Sequence, residues 1–416
     1  MKILLLSNIF PPGFIGGYEL GAYDVAKGLV AKGHYVKVLT SDYFNDEEPM
    51  SDSHFCVERN LNFSSPLQHQ LAPVDNYSAI YYDFNNIRKI GTALRTFKPN
   101  VVLAFNLNGL GVFSILHLLQ SIQIPTVVYL MDNIFSGIDA NSGFHRKFER
   151  YFGHFSPTET TSFIAMSTIV AREVEKAIKT QLNKVTFIPG WVDFSLFKNT
   201  PNTQINPERR FVFSSRIAPH KGIHILLDAV QILSQKGISN FTVDVYGDGD
   251  VIELIQKIHL LKLQHLIRFR GCVSKTEMIN KLSEYDSLLF PTWEREPFGF
   301  IASEAAAAGT IPIITSSIGA AEWFLNGFDC IKIIRSPTSL ANSITELIKM
   351  DNYQLASLKH NAQITARKYF DFSHWLNIIE AECLQQSTKI CYSKSENNIK
   401  KHESALFCLN SLFNVD

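Results

Sequence analysis

The chain of 416 residues has no excess charge of either sign, because 39 Lys+Arg stand against 39 Asp+Glu. Nothing global therefore draws it to nucleic acid, and only local basic patches are left to consider. It has no run of about 18 apolar residues, so nothing in it reads as a membrane span, while peripheral attachment stays open. Its cysteines, at 56, 272, 330, 383, 391 and 408, form no C-x-x-C pair and no metal-ligand spacing. Reduced thiols in a cytoplasmic protein fit that scatter. A secretory leader is not expected either. Met1-Lys2-Ile3-Leu4-Leu5-Leu6 begins like one, but Ser7-Asn8 and Pro11-Pro12 interrupt it, and a first buried strand explains the run better.

What is present is globular, with 46% hydrophobic and 19% charged residues in a chain too long for one core. Strand, loop and helix signals alternate twice. In the first half Lys2 to Ser7 reads as a strand, Asn8 to Gly17 as a glycine- and proline-rich loop, Glu19 to Lys32 as a helix and Tyr35 to Thr40 as a second strand. The loop does not spell G-x-G-x-x-G, although Asp42 stands where a ribose-binding acid would follow. A glycine loop that lets a phosphate or sugar approach the backbone is the better reading, and a plain flexible loop is equally compatible. The segment Asp46 to Asn76 reads as an insertion, Asn76 to Phe97 as a helix, and Thr126 to Leu130 as a strand that ends at Met131-Asp132-Asn133. The run Gly143 to Phe152 mixes basic and aromatic residues at helical spacing, which suits a solvated helix or an anionic membrane surface.

Pro189-Gly190 and the polar stretch Asn199 to Arg210 break the pattern, and the alternation then restarts. The sequence thus predicts an α/β protein with two doubly wound, Rossmann-like domains facing a cleft: residues 1–193 and 194–370. A helix over 371–388 is expected to cross back to the N-terminal domain, and residues 389–416 form an unassigned tail.

Chemistry concentrates in the second half. Trp293-Glu294-Arg295-Glu296-Pro297-Phe298-Gly299 lies between the apolar run ending at Phe290 and an alanine-rich helix, Phe300 to Ala308, that Gly309 can stop. This puts Glu296 in a loop at the carboxyl end of a parallel strand and Glu304 one to two turns into the helix, both able to face one crevice. Arg216 and Lys221 follow the strand Phe211 to Ser214 and precede a helix starting near Gly222. A forked guanidinium, a point charge and a helix N-terminus together suit a diphosphate.

These motifs together resemble the family 4 retaining glycosyltransferases of the GT-B fold (glycosyl transferases group 1), from Met1 to about Gln385. The resemblance is carried by Arg216 with Lys221-Gly222, by Gly247-Asp248-Gly249, and by Glu296-Pro297-Phe298-Gly299 with Glu304. Gly16-Gly17-x-Glu19, Gly33-His34-x-Val36 and Ile188 to Asp193 add to it. It implies a nucleoside diphosphate sugar as donor, an acceptor hydroxyl on a glycan, lipid-linked glycan or small molecule, and no dedicated metal or other cofactor. It further implies that Arg216 and Lys221 neutralise the leaving diphosphate. Glu296 with the backbone of Phe298, Gly299 and Phe300 would hold sugar hydroxyls and phosphate, and Glu304 the ribose. Gly16 and Gly17 would close on the phosphates, Gly247 would form the nucleotide-side turn, and the base would lie near Cys272 and Val273. Asp132 would serve at the N-terminal side, where this chain departs from the family: Met131 occupies the place of a usual His. Asp248-Gly249-Asp250 spells D-x-D, but within a glycine turn it suits a structural or nucleotide-side role. Alternatives are a nucleotide-sugar epimerase on the same fold, an NAD-dependent dehydrogenase, and a non-catalytic nucleotide-sugar-binding protein. Peripheral contact with the inner face of a membrane is compatible with each acceptor class.

Overall fold

A computed structural model of the chain describes residues 1–13, 16–43, 55–64, 82–135, 146, 149–150, 154–197 and 208–389. They fall into two compact units, one comprising Met1–Ile188 with Leu376 onward, the other Pro189–Trp375.

The first unit is built on a parallel sheet of seven strands in the order β3-β2-β1-β4-β5-β6-β7. They are β1 (Lys2–Ser7), β2 (Tyr35–Ser41), β3 (Cys56–Leu61), β4 (Val101–Asn106), β5 (Thr126–Leu130), β6 (Thr161–Ala165) and β7 (Val185–Phe187). The helices are α1 (Gly17–Ala31), α2 (Phe84–Phe97), α3 (Val112–Ser121) and α4 (Thr168–Ile178). The central strands read as continuous apolar runs because both faces of a parallel sheet are covered, and all of β4 and β5 is buried. Local chemistry sets the helix starts. The Asp83 and Ser167 side chains accept from the third backbone N–H of α2 and α4. Strand order reverses between β1 and β4, so the ligand crevice of this sheet lies at their carboxyl ends.

The second unit repeats the plan with β8 (Arg209–Ser214), β9 (Phe241–Tyr246), β10 (Ile267–Phe269), β11 (Ser287–Phe290), β12 (Ile311–Thr315) and β13 (Ile331–Ile333), in the order β10-β9-β8-β11-β12-β13. Its helices are α5 (Ile223–Gln235), α6 (Val251–Leu260), α7 (Lys275–Leu282), α8 (Phe300–Ala307), α9 (Pro337–Lys349) and α10 (Asn352–Tyr369). Here the reversal falls between β8 and β11. Buried charge is paired: Asp286 accepts from Lys359 Nζ at 2.8 Å and from the Arg210 backbone N–H at 3.0 Å. Helix α11 (Phe372–Ser387) begins in this unit and from Leu376 belongs to the first. There Glu380 accepts from Lys32 at 2.7 Å and pairs with His34 at 2.8 Å, and Glu382 accepts from Lys184 at 2.9 Å.

The structure adds helix α6 and strand β13 to the predicted elements, and it inserts a 3-10 turn, Pro219–Lys221, before the helix expected at Gly222. The helix predicted from Asn76 is described from Phe84. Most of Asp46 to Asn76 and of Gly143 to Phe152, and the tail from residue 390, lie outside the described residues. No helix among the described residues is long and apolar enough to cross a membrane.

Candidate functional site

In the second unit Arg216, Lys221 and Glu296 follow β8 and β11, the two strands between which strand order reverses. After β8 the chain turns through Arg216 and the 3-10 turn into α5, and after β11 it runs through the loop Pro291–Gly299 into α8. Lys221 Nζ lies 2.6 Å from Glu296 Oε2, and the Thr292 hydroxyl donates to the same oxygen at 3.0 Å. The Glu296 side chain is 11% exposed and that of Lys221 21%, so the pair is shielded but not sealed off. Arg216 is exposed and has no hydrogen-bond or ion-pair partner among the described residues. A guanidinium with its fork unused, near an ammonium already anchored, is suited to gripping an added anion.

Backbone geometry holds these groups in place. Gly222 has φ +83°, and a Cβ there would lie 2.0 Å from the Pro291 carbonyl oxygen, so glycine is what lets the two loops touch. Trp293 N–H donates to the His220 carbonyl at 2.8 Å, and the Thr315 hydroxyl donates to the Thr292 carbonyl at 2.7 Å. Gly319 and Ala320 N–H donate to the carbonyls of Glu296 and Phe298. His220 packs edge-on against Trp293, and burial followed by the charges of Lys221 and Arg216 pushes its pKa down. That ring is therefore neutral at neutral pH and adds no third charge to the site.

The other second-unit residues are distributed around this centre. Gly247 has φ +146° and approaches the Ser215 carbonyl so closely that a Cβ would lie 2.0 Å from its oxygen. Asp248 and Asp250 belong to the same turn, which Ile217 stitches to β8 through bonds with Asp248 O and Asp250 N. Cys272 is exposed and Val273 half-buried just beyond β10. Phe298 is buried, Gly299 has φ +93°, and Phe300 opens α8 with its ring against Trp191 at 5.1 Å. Glu304 is buried within α8, but Lys275 Nζ approaches it at 3.2 Å. The two glutamates are thus each served by a different lysine, Lys221 for Glu296 and Lys275 for Glu304.

In the first unit Gly16 and Gly17 are exposed at the start of α1, and the Gly16 N–H donates to Glu19 Oε2 at 2.8 Å. Asp132 is half-buried just beyond β5, and its Oδ1 accepts from the Asn133 N–H at 2.7 Å. Sequence reasoning missed Thr292 and Tyr18. Thr292 left only one signal, a hydroxyl four residues before Glu296. Tyr18 OH donates to the Tyr129 carbonyl at 3.1 Å and accepts from the Met131 N–H at 2.7 Å.

Two family profiles meet in this chain. The one described as Glycosyltransferase Family 4 matches residues 15–196, and the one described as Glycosyl transferases group 1 matches residues 198–368. The chain belongs to the family 4 glycosyltransferases. Over 348 residues it is 25% identical to an uncharacterized glycosyltransferase of Methanocaldococcus jannaschii, covering 77% of this chain and 81% of that protein. It is 26% identical over 344 residues to a glycogen synthase of Mycobacterium tuberculosis, covering 79% and 81% respectively. The crystal structure of Anabaena HepE in complex with UDP superposes with a TM-score of 0.67 at 22% identity, covering 92% of this chain and all (100%) of that one. The fold is GT-B, with a Rossmann-like sheet in each unit. In this family 4 chain the Arg216, Lys221 and Glu296 cluster lies in the half matched by the group 1 profile, and Gly16, Gly17 and Asp132 lie in the half matched by the Family 4 profile.

Proposed function

We propose that this family 4 glycosyltransferase moves a hexosyl group from a nucleoside diphosphate sugar to an acceptor hydroxyl with retention of configuration. The observation that carries the reading is the exposed Arg216 guanidinium, without a partner among the described residues, five residues before the lysine of the Lys221–Glu296 pair at the switch point of the second sheet. Breaking a glycosyl phosphate bond develops negative charge on the diphosphate, and each preorganised donor there is worth about 3 kcal/mol in the transition state. Arg216 and Lys221 supply the positive charge that a divalent cation would otherwise bring, so we assign the reaction no dedicated metal. Glu296 then has a double duty: it fixes the lysine and presents its other oxygen to a sugar hydroxyl. Glu304 takes the ribose hydroxyls, Gly247 and the Cys272-Val273 segment flank the nucleotide, and Gly16 and Gly17 approach the phosphates.

UDP is the nucleotide we favour first, because the similar Anabaena protein was crystallised with it. The acceptor belongs to the first unit, around Asp132. A cytoplasmic setting suits the free thiols at Cys56, Cys272, Cys330 and Cys383. The test is a thermal-shift screen against UDP-, GDP-, ADP- and dTDP-sugars, since a ligand that binds only the folded state raises Tm by mass action. The hit is then followed by sugar release or transfer with and without chelator. One donor is expected to stabilise and to be turned over equally in both conditions. No stabilisation by any donor would defeat the reading, and turnover lost to chelator and restored only by Mn²⁺ or Mg²⁺ would defeat its metal-free form.

A further inference from the structure

We infer that Tyr18 is a positioning residue that completes the sheet of the first unit and thereby fixes Asp132; the catalytic part of this inference rests on the role proposed above for Asp132. Strands β4 and β5 pair in a parallel ladder. The Val102 N–H donates to the Pro125 carbonyl, while the Thr126 N–H donates to Thr160 and the Met166 N–H to Leu130. Odd-numbered backbone groups of β5 therefore face β4 and even-numbered ones face β6. The register runs Val102 with Thr126, Leu103 with Val127 and Ala104 with Val128, and then stops.

It stops because β4 slips against its other neighbour. Leu6 pairs with Ala104 but Ser7 pairs with Asn106, so one residue, Phe105, is passed over. That shift turns the Asn106 carbonyl toward β1, where it accepts from the Asn8 N–H at 2.8 Å. The next rung from β4 is thereby removed, and the Tyr129 carbonyl and Met131 N–H lose their expected partner. The Tyr18 hydroxyl replaces it: one phenol donates to Tyr129 O at 3.1 Å and accepts from Met131 N at 2.7 Å. An O–H that is both donor and acceptor stands in for the C=O and N–H of a residue of β4. The passed-over Phe105 supports it, with its ring edge-on to Tyr18 at 5.9 Å and stacked on Tyr129 at 4.6 Å. Burial pushes the Tyr18 pKa well above the ordinary tyrosine value, so the hydroxyl keeps its proton and both bonds persist through the neutral range.

The consequence is a link between two segments of the candidate site. Tyr18 is two residues from Gly16 in the chain, at the start of α1, and its hydroxyl holds the backbone immediately before Asp132. Asp132 caps Asn133 N–H at 2.7 Å and Asn133 Oδ1 accepts from Phe135 N–H at 3.0 Å, so the turn beyond β5 is a chain of side-chain-to-backbone bonds that begins at Tyr18. Freeing Met131 would let this turn drift, and a misplacement of about 1 Å can cost on the order of 100-fold in rate.

The experiment compares Tyr18→Phe, Asp132→Asn and the double variant in donor turnover, alongside hydrogen exchange of the segment Tyr129–Phe135. Tyr18→Phe is expected to lower kcat about 10- to 100-fold with the donor KM within about twofold. In the Asp132→Asn background the same change is expected to cost little, because Tyr18 acts through Asp132. Exchange of Met131 and its neighbours should rise while the rest of the first unit keeps its protection. An equal loss in both backgrounds, or an unchanged kcat, would overturn the catalytic link. If the wild-type protein turns over no donor, the reading of the function fails by itself. The exchange data then still decide whether Tyr18 holds the turn, and unaltered exchange would overturn that as well.

Discussion

Arg216 and Lys221 are both assigned to one anion, yet the structure embeds them differently, and replacing each with Met should separate binding chemistry from scaffold. Lys221→Met removes the ammonium 2.6 Å from Glu296 and leaves a carboxylate that is 11% exposed, with the Thr292 hydroxyl still on Oε2. Breaking a fully buried pair costs about 3–5 kcal/mol. The Lys221 side chain is 21% exposed, so water reaches the pair, and about 2 kcal/mol is expected. For a unit of this size that is a fall in Tm of about 4–8 °C. Arg216→Met removes no bond among the described residues, so its stability should stay within about 0.5 kcal/mol of wild type. Both variants should nevertheless lose turnover by about 100-fold or more. Adding Glu296→Gln to Lys221→Met removes the uncompensated charge and should return part of the Tm but none of the turnover. Thermal melts followed by circular dichroism, together with donor turnover at saturation, read all three variants. Wild-type turnover in Lys221→Met would reduce the pair to a structural clamp and refute the anion site. A Tm loss in Arg216→Met equal to that of Lys221→Met would show that the guanidinium is structural.

Gly222→Ala should destabilise the second unit by about 2–4 kcal/mol in denaturant unfolding, because φ +83° disfavours a side chain and the new Cβ would meet the Pro291 carbonyl at 2.0 Å. A near-neutral result would show that the loops following β8 and β11 separate at little cost. The pH dependence of the first unit provides another check through Glu380. Its pKa is held below the ordinary carboxylate value, first by the hydrogen bond from Lys32 and further by His34. A depressed carboxylate contributes stability above its unfolded pKa and loses it as pH falls through the folded value. Unfolding midpoints should therefore drop below about pH 4.5 in wild type and less steeply in Glu380→Gln, with equal slopes counting against the pairing.

Much of this architecture is legible in the residues. Leu4, Leu5 and Leu6, Val101 to Phe105 and Ile311 to Ile314 read as strands because parallel strands are apolar on both faces, and Gly309 stops its helix in a left-handed conformation as its position suggests. The loops that follow β8 and β11 are legible for the same reason: polar residues between an apolar strand and a helix have one place to go in such a sheet. What the sequence hides is set by contacts between distant segments. Glu296 and Glu304 can share a crevice by spacing, but Lys275, on a helix that spacing cannot orient, claims one of them. Tyr18 falls between the predicted loop and helix with no signal of its own, because its task exists only after β4 slips by one residue against β1. Helix α6 follows a turn with two aspartates, whose strong loop signal masks the apolar residues Leu254 and Ile258 that bury it.

The two sheets also divide the chemistry unequally. At the reversal between β8 and β11 the groups at hand are a guanidinium without a partner among the described residues, an ammonium and a carboxylate. At the reversal between β1 and β4 they are glycine backbone, a phenol that keeps its proton, and one carboxylate, with Met131 contributing its N–H and an apolar side chain. A leaving group that gains charge needs the first set, because fixed charge in a shielded site stabilises an anion without reorganisation. An incoming hydroxyl stays nearly neutral until late, and what it needs is orientation, which hydrogen bonds to the carboxyl end of the sheet provide. On this view the missing imidazole at position 131 removes a proton acceptor but not the scaffold. The burden on Tyr18 and Asp132 grows accordingly, because the phenol is what holds the Met131 N–H immediately before Asp132.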